Sequence, residues 1–196
     1  MLNNLKLYNP DFVIYCKHVT DPAQVYSIMR DNNITRSYVY GMLYQPTLLT
    51  YDFIKVGMSA PVLEKKRGYQ VGERIVRQLA WVPGWKSQHV KSDHGSAFWY
   101  GVQDCMKDNK LPGNFDKNRL TVAIWDVSAR SHQNLILSED DDYTTARWAE
   151  GSLAFQYKEA NNGRLPMLNF ADPSQCKEYK GPHIRKDMFK QLFEFS

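Results

Sequence analysis

Tyr38-Val39-Tyr40-Gly41-Met42-Leu43-Tyr44 and, after a short break, Phe53-Ile54-Lys55-Val56-Gly57-Met58-Ser59 are the stretches that decide how this chain is read. Both are rich in aromatic and branched residues and alternate with period two, the pattern of strands on a pleated, partly buried surface. The break, Gln45-Pro46-Thr47 through Asp52, contains a proline and reads as a hairpin loop. Alternation puts Tyr38, Tyr40, Met42 and Tyr44 on one face, and Phe53, Lys55 and Gly57 on one face of the return strand. Aligned, those faces bring phenols and an ammonium group together beside a glycine, where a ligand can approach closely.

Outward from this hairpin the elements alternate. Phe12 to Cys16 reads as a first strand after an Asn-Pro turn, and Thr20-Asp21-Pro22 opens a helix over 23–31. Pro61 opens a short helical stretch through Lys66, which Gly68 interrupts. A second helix begins at about Gly72 and carries Glu73-Arg74-Ile75-Val76-Arg77-Gln78-Leu79, with Pro83-Gly84 as its far boundary. Phe98, Trp99, Val102 and Met106 predict a helix over 95–110. Leu120 to Val127 is the most continuous strand signal and is expected at the centre of the sheet. The acidic run Ser138 to Asp142 precedes a helix from about Tyr143 to Ala160, where acids complement the helix dipole. Asn162-Gly163 closes that helix, and the polar tail from Pro173 ends in a short helix with Met188, Phe189, Leu192 and Phe193. The expectation is one α/β (α+β) domain over 1–196, a small mixed, largely antiparallel sheet flanked by helices, with no repeats or linkers.

The chain has 196 residues, 43% hydrophobic and 23% charged, which is enough for one sizeable core and speaks against disorder. There is no long apolar run and no basic-then-apolar leader pattern, so no membrane partner is expected. Cys16, Cys105 and Cys176 are far apart with no CxxC pair, which argues against a disulfide framework or structural zinc. A reducing, cytoplasmic location follows as the expectation. The net charge is +4, and its distribution is more telling. Lys55, Lys65, Lys66, Arg67, Arg74, Arg77, Lys86 and Lys91 face only Glu64 and Glu73 between residues 55 and 92. A second basic cluster, Lys177, Lys180, Arg185, Lys186 and Lys190, lies near the C-terminus. Such local excess suits a polyanion, or simply a solvated face. His89 and His94 flank Lys91 in a polar stretch, and Trp81, Trp85, Trp99 and Trp125 serve either packing or base stacking. No HExxH, Walker-type, GxSxG or GxGxxG pattern is present to support protease, NTPase, hydrolase-elbow or dinucleotide chemistry.

The helix ending at Ala160 carries a local contradiction. Glu150, Leu153, Ala154 and Tyr157 share one face, and a carboxylate on an apolar face is costly unless it is paired. It must meet an arginine, another hydrogen-bond donor or a metal ion. Gly151 beside it is a poor helix former and points to close packing. Beyond the helix comes Gly163-Arg164-Leu165-Pro166-Met167-Leu168-Asn169.

Over about residues 36–170 these pieces together resemble the GIY-YIG endonuclease superfamily. Val39-Tyr40 is similar to the Ile-Tyr of its first motif, and Lys55-Val56-Gly57-Met58-Ser59 to the variant of the second motif with lysine for tyrosine. Glu150 matches the helical glutamate, and Leu168-Asn169 the Leu-Asn beyond it. Ser37 or Tyr38 stands where the first glycine of the family pattern falls, and the interval from Tyr40 to Lys55 is longer than usual. The family's arginine falls on Arg74, with Arg67 second and Arg77 third; Gln78 takes the polar position four residues past Arg74.

The resemblance implies a metal-dependent endonuclease hydrolysing DNA phosphodiester bonds, with Tyr40, Lys55, Arg74 and Glu150 as catalytic residues. In that scheme Tyr40 takes a proton from water beside the Lys55 charge, and Arg74 grips the phosphate. Glu150 holds one divalent cation, Mg²⁺ or Mn²⁺. Tyr38, Arg67, Arg77, Gln78, Lys86, Lys91 and Asn169 are expected toward DNA. Target choice is expected from loops, the 84–118 region or homodimerisation. An inactive nucleic-acid-binding module of the same fold, or an unrelated α/β protein with structural Tyr, Lys and Glu, are the alternatives.

Overall fold

The computed structural model describes residues 10–47, 50–61, 70–85, 93–127, 139–169 and 171–175. Along the chain these form β1 (Phe12–Tyr15), α1 (Gln24–Asp31), β2 (Tyr38–Thr47), β3 (Thr50–Ser59), α2 (Glu73–Leu79), α3 (Asp93–Lys107), β4 (Leu120–Asp126) and α4 (Glu139–Ala160). The strands make one sheet in the order β1-β4-β2-β3, and every pairing is antiparallel. β4 is buried at all its residues, which explains its unbroken apolar run: an interior strand covered on both faces has no side to leave polar.

The two faces have separate cores. Tyr38, Tyr40, Met42, Tyr44, Val122 and Ile124 pack against Val25 and Met29 of α1, Ile75 and Leu79 of α2, and Phe98 and Val102 of α3. On the opposite face Val39, Phe53, Val56, Met58, Ala123 and Trp125 meet Ala146, Ala149, Leu153 and Tyr157 of α4. The apolar stripe expected on α4 is therefore buried, and Glu150 is buried with it. A Cβ at Gly151 would lie 2.8 Å from the Pro173 carbonyl oxygen, so the close packing expected there comes from the turn at Pro173–Gln175.

The hairpin pairs Tyr40 with Gly57 and Met42 with Lys55, as the alternation predicts. Phe53 departs from it. The register shifts between Met42 and Leu43, which pairs with Phe53, so Ile54 is an extra residue in β3. This bulge keeps Ile54 and Lys55 on the Tyr40 side and sends Phe53 to the other face, where its ring covers Gly41. The strands also run further than expected, to Thr47 and from Thr50. Pro46 is tolerated because β2 pairs with β4 only as far as Tyr44, and a second register shift lies between Tyr44 and Thr47. α4 starts at Glu139, so most of the acidic run forms its first turn. Most of the 61–66 stretch, Arg67, Lys86, Lys91, His89, Cys176, the C-terminal basic cluster and the expected final helix lie outside the described residues. Among the described residues no helix is long and apolar enough to cross a membrane.

β3 is an edge strand, and the segment after α4 closes part of that edge. Leu168 N–H donates to the Ile54 carbonyl at 2.8 Å. Asn169 Oδ1 accepts from Val56 N–H at 2.8 Å, and its Nδ2 donates to the Val56 carbonyl at 3.0 Å. One side-chain amide thus serves as a strand neighbour, satisfying both backbone groups of a buried residue. Asn169→Ala is expected to cost about 1–3 kcal/mol, because both groups lose their partner at once. Chemical denaturation checks it; an unchanged midpoint would show that water replaces the amide.

Candidate active site

Placement of the site begins at Gly72. Its φ of 93° is left-handed, and a Cβ there would crowd Val25 and Met29 at 3.2 and 3.3 Å, so α2 starts hard against α1. Glu73 then fixes the helix rotation: one carboxylate oxygen accepts from the Tyr26 hydroxyl, the other from Arg77 Nε at 2.6 Å. With Glu73 and Arg77 engaged on that side, the next stripe of the helix, Arg74 and Gln78 at i and i+4, faces the sheet.

There it meets Tyr40. Position 57 has no side chain, and a Cβ on it would overlap the Tyr40 ring, which lies across β3. The glycine therefore admits the phenol of the neighbouring strand and not a ligand, a correction to the expected open approach. The fully buried Tyr40 hydroxyl donates to Gln78 Oε1 at 3.2 Å and is hydrogen-bonded by Arg74. The Tyr38 ring lies beside it, centroids 6.2 Å apart, within electrostatic reach of Arg74. Lys55, aimed to this side by the bulge, donates from Nζ to the Leu168 carbonyl at 3.2 Å. Glu150 arrives from the other layer. Its side chain is 7% exposed, accepts from Arg147 Nη1 on Oε2 at 2.8 Å, and lies in the field of Arg74 and Lys55.

Burial dominates the protonation of this cluster. It raises the Tyr40 phenol above its ordinary value despite the Arg74 guanidinium, so the phenol is protonated near neutral pH. The cation that acts on it most strongly is Arg74, which also hydrogen-bonds it. Arg74 stays fully charged, helped first by the Tyr40 oxygen. Burial and the Arg74 charge bring Lys55 down to about 8. Burial raises Glu150, opposed by Arg147 and Arg74.

No family model, curated protein or solved structure matches this chain.

Tyr40, Lys55, Arg74 and Glu150 thus form one cluster. Arg77 belongs to the Glu73 ion pair, which takes it out of contention for the phosphate-gripping arginine. Two expected DNA contacts are internal instead, Tyr38 being fully buried and Gln78 6% exposed on Tyr40; a third, the part-buried Asn169, has its amide engaged by Val56. Of the tryptophans, Trp125 is core, Trp85 and Trp99 pack against the core, and Trp85 also caps α2 by donating to the Leu79 carbonyl. The residue missed in the sequence is Arg147. Its signal was legible: a glutamate on an apolar stripe needs a counter-charge, and arginine one helical turn earlier supplies it. Among the described residues no group of three or more His, Cys, Asp or Glu could hold a metal ion. A lone carboxylate among cations fits only a hard, largely hydrated ion that shares the site with phosphate oxygens.

The Lys55 shift has a stability consequence. Its folded pKa lies below the unfolded value of 10.5, so its charge opposes folding in full below about 8; the penalty fades as pH rises from there toward 10.5. Lys55→Met is expected to raise stability by about 2 kcal/mol at pH 7, the relief from desolvation and Arg74 repulsion being partly offset by the lost hydrogen bond to the Leu168 carbonyl. Denaturation at pH 7 and pH 10 checks the sign: the gap should narrow at the higher pH.

Proposed function

We propose that this chain is a metal-dependent endonuclease hydrolysing DNA phosphodiester bonds, as members of the GIY-YIG superfamily do. The observation carrying the proposal is that Tyr40, Lys55, Arg74 and Glu150, from four separate elements, share one buried charged cluster. Burying a lysine beside an arginine is unfavourable, and such arrangements concentrate at functional sites.

In this reading Arg74 receives the scissile phosphate, its planar fork matching two nonbridging oxygens. Glu150 would hold one Mg²⁺ or Mn²⁺, which supplies charge neutralisation at the phosphate and the leaving oxygen. Tyr40 orients the attacking water by hydrogen bonding. It cannot accept a proton while it holds its own, and the group of the cluster that deprotonates within reach is Lys55. We therefore assign Lys55, as the free amine, the role expected of Tyr40. The water oxygen attacks phosphorus, its proton passes to Lys55 Nζ, and the bond to the leaving oxygen breaks, the departing alkoxide taking a proton from solvent water.

Purified protein with plasmid DNA and Mg²⁺ or Mn²⁺ is expected to nick, and Glu150→Ala to abolish nicking. Neither binding nor nicking by the wild type would sink the nuclease reading. DNA binding without nicking under either metal would favour a binding module, to which the Arg147–Glu150 pair also lends itself.

The base assignment has its own test. The cleavage rate should rise with pH through a midpoint near about 8, the incoming phosphate charge raising Lys55 and a cation at Glu150 lowering it. Lys55→Arg is expected to lower the rate by about 10²–10⁴, while Tyr40→Phe keeps part of it. A rate that climbs past pH 10 and vanishes in Tyr40→Phe would return the proton to the phenol.

A further inference from the structure

Of the cluster residues, Lys55 is the one whose neutral form is a strong nucleophile. Arg74 stays charged, and the Tyr40 phenol keeps its proton. Burial beside Arg74 holds a share of Lys55 as the free amine near neutral pH. Its placement suits attack on a ligand. Nζ donates to the Leu168 carbonyl at 3.2 Å, a neutral partner that takes one hydrogen and leaves the amine lone pair directed elsewhere. Lys55 stands on the edge strand β3 and is part-exposed, whereas Tyr40 is fully buried. Arg74 acts on it directly and sets a planar, phosphate-matching fork beside the amine. A nucleophilic amine next to such a guanidinium matches one electrophile of DNA, the aldehyde of an abasic sugar, which has a phosphate on either side. That sugar has no base to unpair, so it leaves the duplex at the lowest cost.

Resting on the DNA-binding part of the nuclease reading above, we propose that this site has a second, metal-independent activity: cleavage of DNA at abasic sites through a Schiff base on Lys55. Nζ attacks C1′ of the ring-opened sugar, and the carbinolamine loses water to give a protonated imine. C2′ then gives a proton to water, and the C–H electron pair forms the C2′–C3′ double bond. The C3′–O bond breaks, and its electrons leave with the 3′ phosphate. Arg74 meets the second negative charge that appears on that phosphate as it departs. Water hydrolyses the imine, which returns Lys55 as the amine and leaves an unsaturated aldehyde on the upstream strand. No oxidant or reductant enters the balance, and Glu150 keeps its Arg147 partner throughout.

The test mixes the full chain, in EDTA, with a duplex holding one abasic site and with sodium cyanoborohydride, which reduces an imine to a stable amine. A covalent protein–DNA band is expected, with the adduct mapped to Lys55 by mass spectrometry. Without the reductant the abasic strand should be cut in EDTA, and a duplex with all its bases should be neither trapped nor cut. Lys55→Met and Lys55→Arg are each expected to lower trapping by about tenfold or more, and circular dichroism checks that both fold. Glu150→Ala, expected to abolish metal-dependent nicking, should still trap, because loss of that negative charge favours the free amine. No adduct, or an adduct of equal yield in Lys55→Met, would overturn the abasic-site activity. Metal-dependent nicking of plasmid DNA by the same preparation would then leave the nuclease reading standing. Trapping at Lys55 with no nicking in Mg²⁺ or Mn²⁺ would support the abasic-site activity and sink the hydrolytic one.

Discussion

Tyr40 can lay its ring across β3 only because position 57 carries no side chain, and the cluster around it depends on that contact. In a regular antiparallel pair, cross-strand neighbours stand side by side and compete for the same height above the sheet. Removing one of them lets the other lie down. The phenol then spans from its own strand toward the sheet edge, where Lys55 and the segment after α4 are found. The same device operates in mirror fashion on the other face, where the Phe53 ring covers Gly41. The two glycines are strand residues kept small for a neighbour's ring, and the Ile54 bulge gives each ring its own face.

Once Tyr40 is laid flat, its hydroxyl is buried and must find partners in the fold. α2 provides both from one stripe, Arg74 and Gln78, and the rotation of that short helix is held by the Glu73 carboxylate between Tyr26 and Arg77. Seven residues do not hold a helix in place by backbone hydrogen bonds alone. Its position comes from Ile75 and Leu79 in the core, and its phase from the Glu73 clamp. The two arginines of the helix therefore have different roles, since Arg77 holds the helix and Arg74 is held by it.

Much of this was legible in the sequence. Period-two alternation marked the hairpin and its Tyr40 face, the unbroken run at 120–127 marked an interior strand, and the Glu150 stripe marked a helix with an unresolved charge. What could not be read was geometry that depends on a single residue of register. Nothing local says that Ile54 is bulged, yet that insertion decides which face Phe53 and Lys55 take. Nor does composition reveal burial depth. Tyr38 and Gln78 are polar enough to suggest a surface, and both are instead buried; the part-buried Asn169 spends its amide on the Val56 backbone. Tyr40 shows the same limit: nearby positive charge was expected to make the phenol acidic, and burial outweighs it.

The sign of that last competition shapes the chemistry of the whole cluster. Desolvation penalises every charged form present, so it raises the acids Tyr40 and Glu150 and lowers the base Lys55. The two kinds of group are thereby drawn toward neutrality from opposite sides, with Arg74 alone remaining a fixed charge. A site of this kind holds its cations at a cost in stability. A cluster optimised for folding would replace Lys55 with an apolar side chain. Retaining an ammonium beside a guanidinium makes physical sense where an anion visits the cluster.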